Sequence, residues 1–164
     1  MIKRVRFPVF LVPYCISFEK SVGAVVFRVV GNVRQYLIIQ YAAGHWEFPR
    51  GRVEGGEKEV QTMKREIREE IGIENLDVVE GFRKTMRFFY KAHGEEKKHR
   101  MAEKSCIFVH KKAVFYLVRA QQTDKIQLSH EHTKFLWLPF EEAYKKVTFS
   151  NAKKILIIAE KFLC

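Results

Sequence analysis

Residues 51–73 read GRVEGGEKEVQTMKREIREEIGI, and the order of glycines and acids in them spells a loop, a helix and a stop. Gly55 and Gly56 precede a run from Glu57 to Ile71 that holds no Gly or Pro and is mostly good helix formers. Gly72 follows as a terminating glycine would. On a helix Glu66, Glu69 and Glu70 stand at i, i+3 and i+4, so their carboxylates share one face. Val60, Met63, Ile67 and Ile71 recur at three- and four-residue spacing and predict a buried stripe opposite. Clustered carboxylates raise one another's pKa unless a cation neutralises them. A hard divalent ion, Mg2+ or Mn2+ in its place, suits such an oxygen donor set. A solvated acidic face held by pairs such as Arg65 with Glu69 is the plainer alternative, but it leaves Gly51 and the paired glycines unexplained.

The chain has 164 residues, enough for one domain with a real core, with 47% hydrophobic and 30% charged residues. A net charge of +11 makes the surface outside the acidic helix basic, which attracts polyanions: nucleotides, polyphosphates or RNA. Cys15, Cys106 and Cys164 are far apart and form no CxxC pair, so neither a disulfide framework nor a zinc site is expected, and a reduced, cytoplasmic compartment follows. The N-terminal MIKRVRFPVFLVPYC imitates a signal peptide faintly, but Pro8 and Pro13 interrupt its apolar run. No stretch approaches the roughly 20 apolar residues that span a membrane.

Residues 1–18 read as an N-terminal arm or edge strand, with a single domain over 19–164. The segments SVGAVVFRVV (21–30) and RQYLIIQ (34–40), separated by Gly31-Asn32, predict a hairpin of core strands. Four glycines, an aromatic pair and Pro49 crowd residues 42–57 ahead of the helix, and glycines let backbone approach a ligand closely. His45, Trp46 and Arg50 stand at the entrance to that loop. Trp46 and Phe48 read as core, Arg50 as a phosphate contact. After the helix, LDVVEGFRKTMRFFY predicts one or two strands and CIFVHKKAVFYLVRA another. Between them KAHGEEKKHRMAEK (91–104) has no periodic apolar face and reads as a mobile hairpin loop whose lysines and histidines touch phosphate or only solvent. Polar SHEH (129–132) leads an apolar strand, and FEEAYKKVTF and NAKKILIIAEKFL predict a short and a longer C-terminal helix.

The spacing of Gly51, Glu57, Arg65, Glu66, Ile67, Glu69, Glu70, Gly72 and Ile73 fits G-x5-E-x7-R-E-U-x-E-E-x-G-U, where U is bulky and aliphatic. It resembles the Nudix box, the signature of hydrolases that cleave nucleoside diphosphates linked to another moiety. That resemblance covers residues 20–163 and implies an α/β (α+β) fold, an α/β/α sandwich around a mixed central sheet. It implies metal ligation by Glu66, Glu69, Glu70 and a backbone carbonyl at Arg50 or Gly51. Glu57 and Arg65 would then brace the loop and the helix carboxylates. EGFRKTMRFF (80–89) and LSHEHTKFLWLPFEEA (128–143) are similar to the asymmetrical diadenosine tetraphosphate hydrolases within that family. By that likeness His45 and Arg50 contact phosphates, and Phe88 and Phe135 stack a base. The chain departs from the branch in carrying Arg50 for lysine and Phe48-Pro49 for a double proline. His130 and His132 have zinc-like spacing but no cysteine partner, and Glu131 is a candidate auxiliary carboxylate. An RNA 5′-pyrophosphohydrolase and a non-catalytic nucleotide sensor remain open as alternatives.

Overall fold

The computed structural model describes residues 15–164. β1 (Ile16–Val30) is followed by β2 (Val33–Tyr41), the short β3 (Trp46–Glu47) and β4 (Arg50–Arg52), and then α1 (Glu59–Ile71). β5 (Asp77–Lys91), α2 (Gly94–Ala102), β6 (Phe108–Arg119) and β7 (His132–Pro139) come next, and α3 (Phe140–Lys146) and α4 (Ser150–Phe162) close the chain. One seven-stranded sheet runs β3-β2-β1-β6-β5, with β4 paired to β1 and β7 to β2. β1 and β6 are parallel, from Ile16 beside Phe108 to Phe27 beside Arg119, and the remaining pairs are antiparallel.

β1 is apolar on both faces because both are covered. Val22, Ala24 and Val26 pack with Met63, Ile67 and Ile71 of α1. Val25 and Phe27 pack with Ala152, Ile155, Leu156 and Ala159 of α4 on the other side. Period-two alternation thus feeds two separate cores and yields the expected α/β/α sandwich. α1 begins where Gln61 Oε1 accepts the Lys58 backbone N–H at 2.8 Å. It ends at Gly72, in the left-handed region (φ 75°), whose N–H donates to Arg68 O at 3.0 Å. Among the described residues no helix is long and apolar enough to cross a membrane.

The structure corrects several expectations. Val60 is 39% exposed and leaves the α1 stripe, which is Met63, Ile67 and Ile71. Residues 91–104 are no simple loop, for they contain α2. Its acids Glu95 and Glu96 sit in the first turn and His99 and Arg100 in the last, complementing the helix dipole, and Arg100 Nε donates to Glu96 Oε1 at 2.8 Å. Cys15 and Cys106 form a disulfide, joining the start of β1 to the segment before β6. The parallel pairing of Ile16 with Phe108 is what brings two cysteines 91 positions apart together, which linear spacing hides. β1 begins at Ile16, inside the segment assigned to the arm; residues 1–14 lie outside the described ones.

Candidate active site

Gly51 lies against α1 so tightly that a Cβ there would come within 1.9 Å of Glu66 Cδ. Only glycine lets the β4 backbone meet that carboxylate. The neighbouring residue takes part in the same contact: Arg50 N–H donates to Glu70 Oε2 at 2.9 Å. Gly23 serves the same approach from β1, since a Cβ on it would meet Pro49 O at 2.1 Å.

Arg65, 16% exposed, is the hub of the acidic face. Its Nε donates to Glu57 Oε1 at 2.7 Å and Nη2 to Glu57 Oε2 at 3.0 Å. Nη1 reaches Glu66 Oε1 at 2.8 Å and Glu69 Oε2 at 3.0 Å, and Nη2 also donates to Arg52 O at 2.9 Å. Glu57 in turn accepts from Thr62 Oγ1 at 2.8 Å and Glu54 N–H at 3.1 Å, so the glycine loop is stitched to the helix through one carboxylate. Hydrogen bonds from Arg65 and Thr62 hold Glu57 down to about 2. Glu66 and Glu70 move the other way. Burial raises both, and with the Glu66 charge added Glu70 is pushed up to about 8. Among the described residues no three His, Cys, Asp or Glu side chains converge as a ready-made metal cage. The cation the structure shows among these acids is Arg65.

His132, expected only to flank the site, is buried behind Glu70. Its Nε2 is without a hydrogen bond and lies 3.6 Å from Glu70 Oε1, while Nδ1 meets Ser129 Oγ at 3.0 Å. Tyr41, not foreseen, wedges between two imidazoles, stacked on His45 at 4.6 Å and edge-on to His132 at 4.5 Å. Burial keeps His45 below the ordinary imidazole range. Arg50 is held by a second unforeseen residue, Glu47, through Nε–Oε1 (3.0 Å) and Nη2–Oε2 (2.9 Å) bonds. Both signals were faint in the sequence, because Tyr41 lies just past the 34–40 strand and Glu47 inside the glycine-rich stretch before the helix, with no motif to single them out.

Two cavities meet here. A polar one of about 510 Å3 is lined by Gly51, Arg65, Glu66, Glu69, Glu70 and Glu131. A more apolar one of about 450 Å3 is lined by Met86, Phe88, Tyr90, Glu96, Phe149 and Asn151. His45, Arg50 and Lys111 line both. Lys111 was missed in sequence, where it is one lysine of two; its ammonium is pushed down to about 8 by burial and by Arg50, against the pull of Glu19.

Phe88 faces the apolar cavity, but Phe135 lines neither. β7 pairs Phe135 with Ile39 and Trp137 with Leu37, which puts it on the α1 side of the sheet, 38% exposed. Phe88 and Met86 pack against the core of the opposite side. Phe149, at the start of α4 and 5.1 Å from His45, shares the cavity with Phe88 and Tyr90. Nothing local in the sequence distinguishes Phe149 from a helix-flanking core residue.

Comparison with known proteins agrees with this geometry. The model of the NUDIX domain matches residues 18–157. The asymmetrical bis(5′-nucleosyl)-tetraphosphatase of Sus scrofa is 31% identical over 156 residues, covering 88% of this chain and 95% of that protein. The crystal structure of a C. elegans Ap4A hydrolase binary complex superposes with a TM-score of 0.73 at 30% identity, over 88% of this chain and 97% of that one. An RNA pyrophosphohydrolase of Pseudoalteromonas translucida is 34% identical over 74 residues, 44% of this chain and 42% of its own length.

Proposed function

The chain belongs to the Nudix family, and from that premise we propose that it hydrolyses a dinucleoside polyphosphate, diadenosine tetraphosphate to ATP and AMP, with Mg2+. The observation that carries this reading is the junction of the two cavities. An acidic, oxygen-lined chamber shares three basic side chains, His45, Arg50 and Lys111, with an apolar one lined by Phe88, Tyr90 and Phe149. A polyphosphate ending in a nucleoside has that sequence of chemistries. The base stacks between Phe88 and Phe149, worth roughly 1–3 kcal/mol per base. Arg50, pre-oriented by Glu47, and Lys111 offset phosphate charge.

The donor chemistry also fits the cation. Carboxylates raised by burial and by each other are relieved by a divalent ion, and Gly51 leaves its backbone open beside Glu66. Glu66, Glu69 and Glu70 with the Gly51 carbonyl would hold Mg2+, which supplies Lewis-acid activation of phosphate and water. Glu57 and Arg65 brace that set from the loop. A carboxylate of the set takes the proton of the attacking water, and Glu66, in contact with both Arg65 and Gly51, is the side chain whose loss costs most.

The rival substrate is a 5′-triphosphorylated RNA, favoured by the net charge of +11 and the partial likeness to an RNA pyrophosphohydrolase. Incubation with Mg2+ and either substrate decides. ATP and AMP from diadenosine tetraphosphate with RNA left intact support the proposal, and turnover of RNA alone overturns it. Nucleotide binding with neither reaction would make the protein a sensor.

A further inference from the structure

Glu96 enters the apolar cavity from α2, the helix that sequence reading took for a loop, and its carboxylate is fixed rather than free. Oε1 accepts from Tyr90 OH at 2.9 Å and from Arg100 Nε at 2.8 Å. Arg100 is itself anchored: its side chain is 6% exposed, pairs with Glu19 through Nη2 and donates to Cys106 O through Nη1 at 3.3 Å. The Cys15–Cys106 disulfide ties that same carbonyl's residue to the start of β1. A chain of bonds therefore runs from the sheet through Arg100 to one oxygen of Glu96. The other oxygen, Oε2, has no hydrogen bond among the described residues, and the side chain is 43% exposed and lines the cavity beside Tyr90 and Phe88.

Charge decides what such a group meets. Burial alone would raise the Glu96 carboxyl, but the hydrogen bonds from Arg100 and Tyr90 more than offset it, so it stays ionised and can only accept. An ionised acceptor repels phosphate. The other acid lining this cavity, Glu47, is spent on Arg50. What remains in a cavity holding a base and its sugar is a neutral donor: a ribose hydroxyl or an exocyclic amine.

We propose that Glu96 is a specificity-determining residue, whose Oε2 accepts a hydrogen bond from a neutral donor group of the bound nucleoside. The proposal rests on the nucleotide reading of this cavity but not on the reaction. Its test is equilibrium binding of ATP without divalent metal, by calorimetry, to wild type and to Glu96→Gln, which keeps shape and an acceptor for Tyr90 and Arg100 but turns a donor toward the nucleoside. ATP affinity should fall about tenfold, the effect of losing a charge-assisted hydrogen bond. 2′-Deoxy-ATP, 3′-deoxy-ATP and inosine triphosphate separate the sources. The analogue lacking the donor should bind wild type about tenfold more weakly than ATP, with no further loss in the variant. Equal thermal melting of both proteins shows the fold intact. Glu96→Asp, which keeps the charge and withdraws the carboxylate, should weaken ATP binding in the same way. Unchanged ATP affinity in the variants, one uniform penalty across all four nucleotides, or a wild type that binds none of them overturns the proposal. Hydrolysis of diadenosine tetraphosphate, assayed separately on wild type, tells whether the reaction stands or falls independently.

Discussion

Glu66, Glu69 and Glu70 come from consecutive turns of one helix, α1, whereas Phe88, Glu96, Lys111 and Phe149 come from β5, α2, β6 and the start of α4. The first set is local. Helical spacing alone brings its members together, and its supports, Glu57, Arg65 and Gly51, fall in the same 51–73 stretch. The second set exists only once β5 and β6 are paired, with Phe88 beside Lys111, and α4 is packed across the sheet. A contiguous motif can carry chemistry through many different proteins, while a pocket gathered from four elements can change its ligand without touching that chemistry.

Substitutions in the two regions should therefore fail differently. The largest effect is expected from Glu66→Gln, which should lower kcat about a thousandfold while ATP binding without metal stays within about twofold. Near-normal turnover would remove the carboxylate helix from the chemistry. Gly51→Ala comes next. Its methyl must displace either β4 or the Glu66 carboxylate, and misplacement on the scale of an ångström should cost kcat about a hundredfold with the protein still folded.

The pocket should instead show up in KM. Phe149→Ala is expected to raise KM for diadenosine tetraphosphate about tenfold with kcat little changed, and Phe135→Ala to leave both within about twofold. The reverse order would restore Phe135 as the second stacking ring. The smallest effect is one of pH. Lys111 titrates near pH 8 in the free protein, and the form that attracts phosphate is the protonated one, present below that value and lost above it. KM should therefore rise as pH passes from about 7 to about 9, and Lys111→Arg, which stays charged, should flatten the rise. A flat wild-type profile would take Lys111 out of the phosphate path.

Periodicity made much of the sandwich legible: the β1–β2 hairpin, α1 with its stop at Gly72, and the two C-terminal helices were visible from pattern and punctuation. α2 was not, because its helical signals are electrostatic and its apolar face is missing; Arg100 buries through pairing with Glu19, far away in β1. The disulfide was hidden for a related reason. Cys15 and Cys106 look unrelated until a parallel strand pair lays their segments side by side.

The sequence by itself determined the acidic helix, its terminating glycine and the buried stripe of Met63, Ile67 and Ile71 beneath, since each depends on neighbours within a few turns. Only the tertiary structure decided which aromatic rings share a cavity with Phe88, which lysine joins Arg50 there and where α2 sets Glu96. Those depend on strand parity and on contacts between residues tens of positions apart. Phe135 and Phe149 are alike as apolar rings in the sequence, and they part because β7 turns one toward the α1 side while the start of α4 brings the other to the apolar cavity beside Phe88.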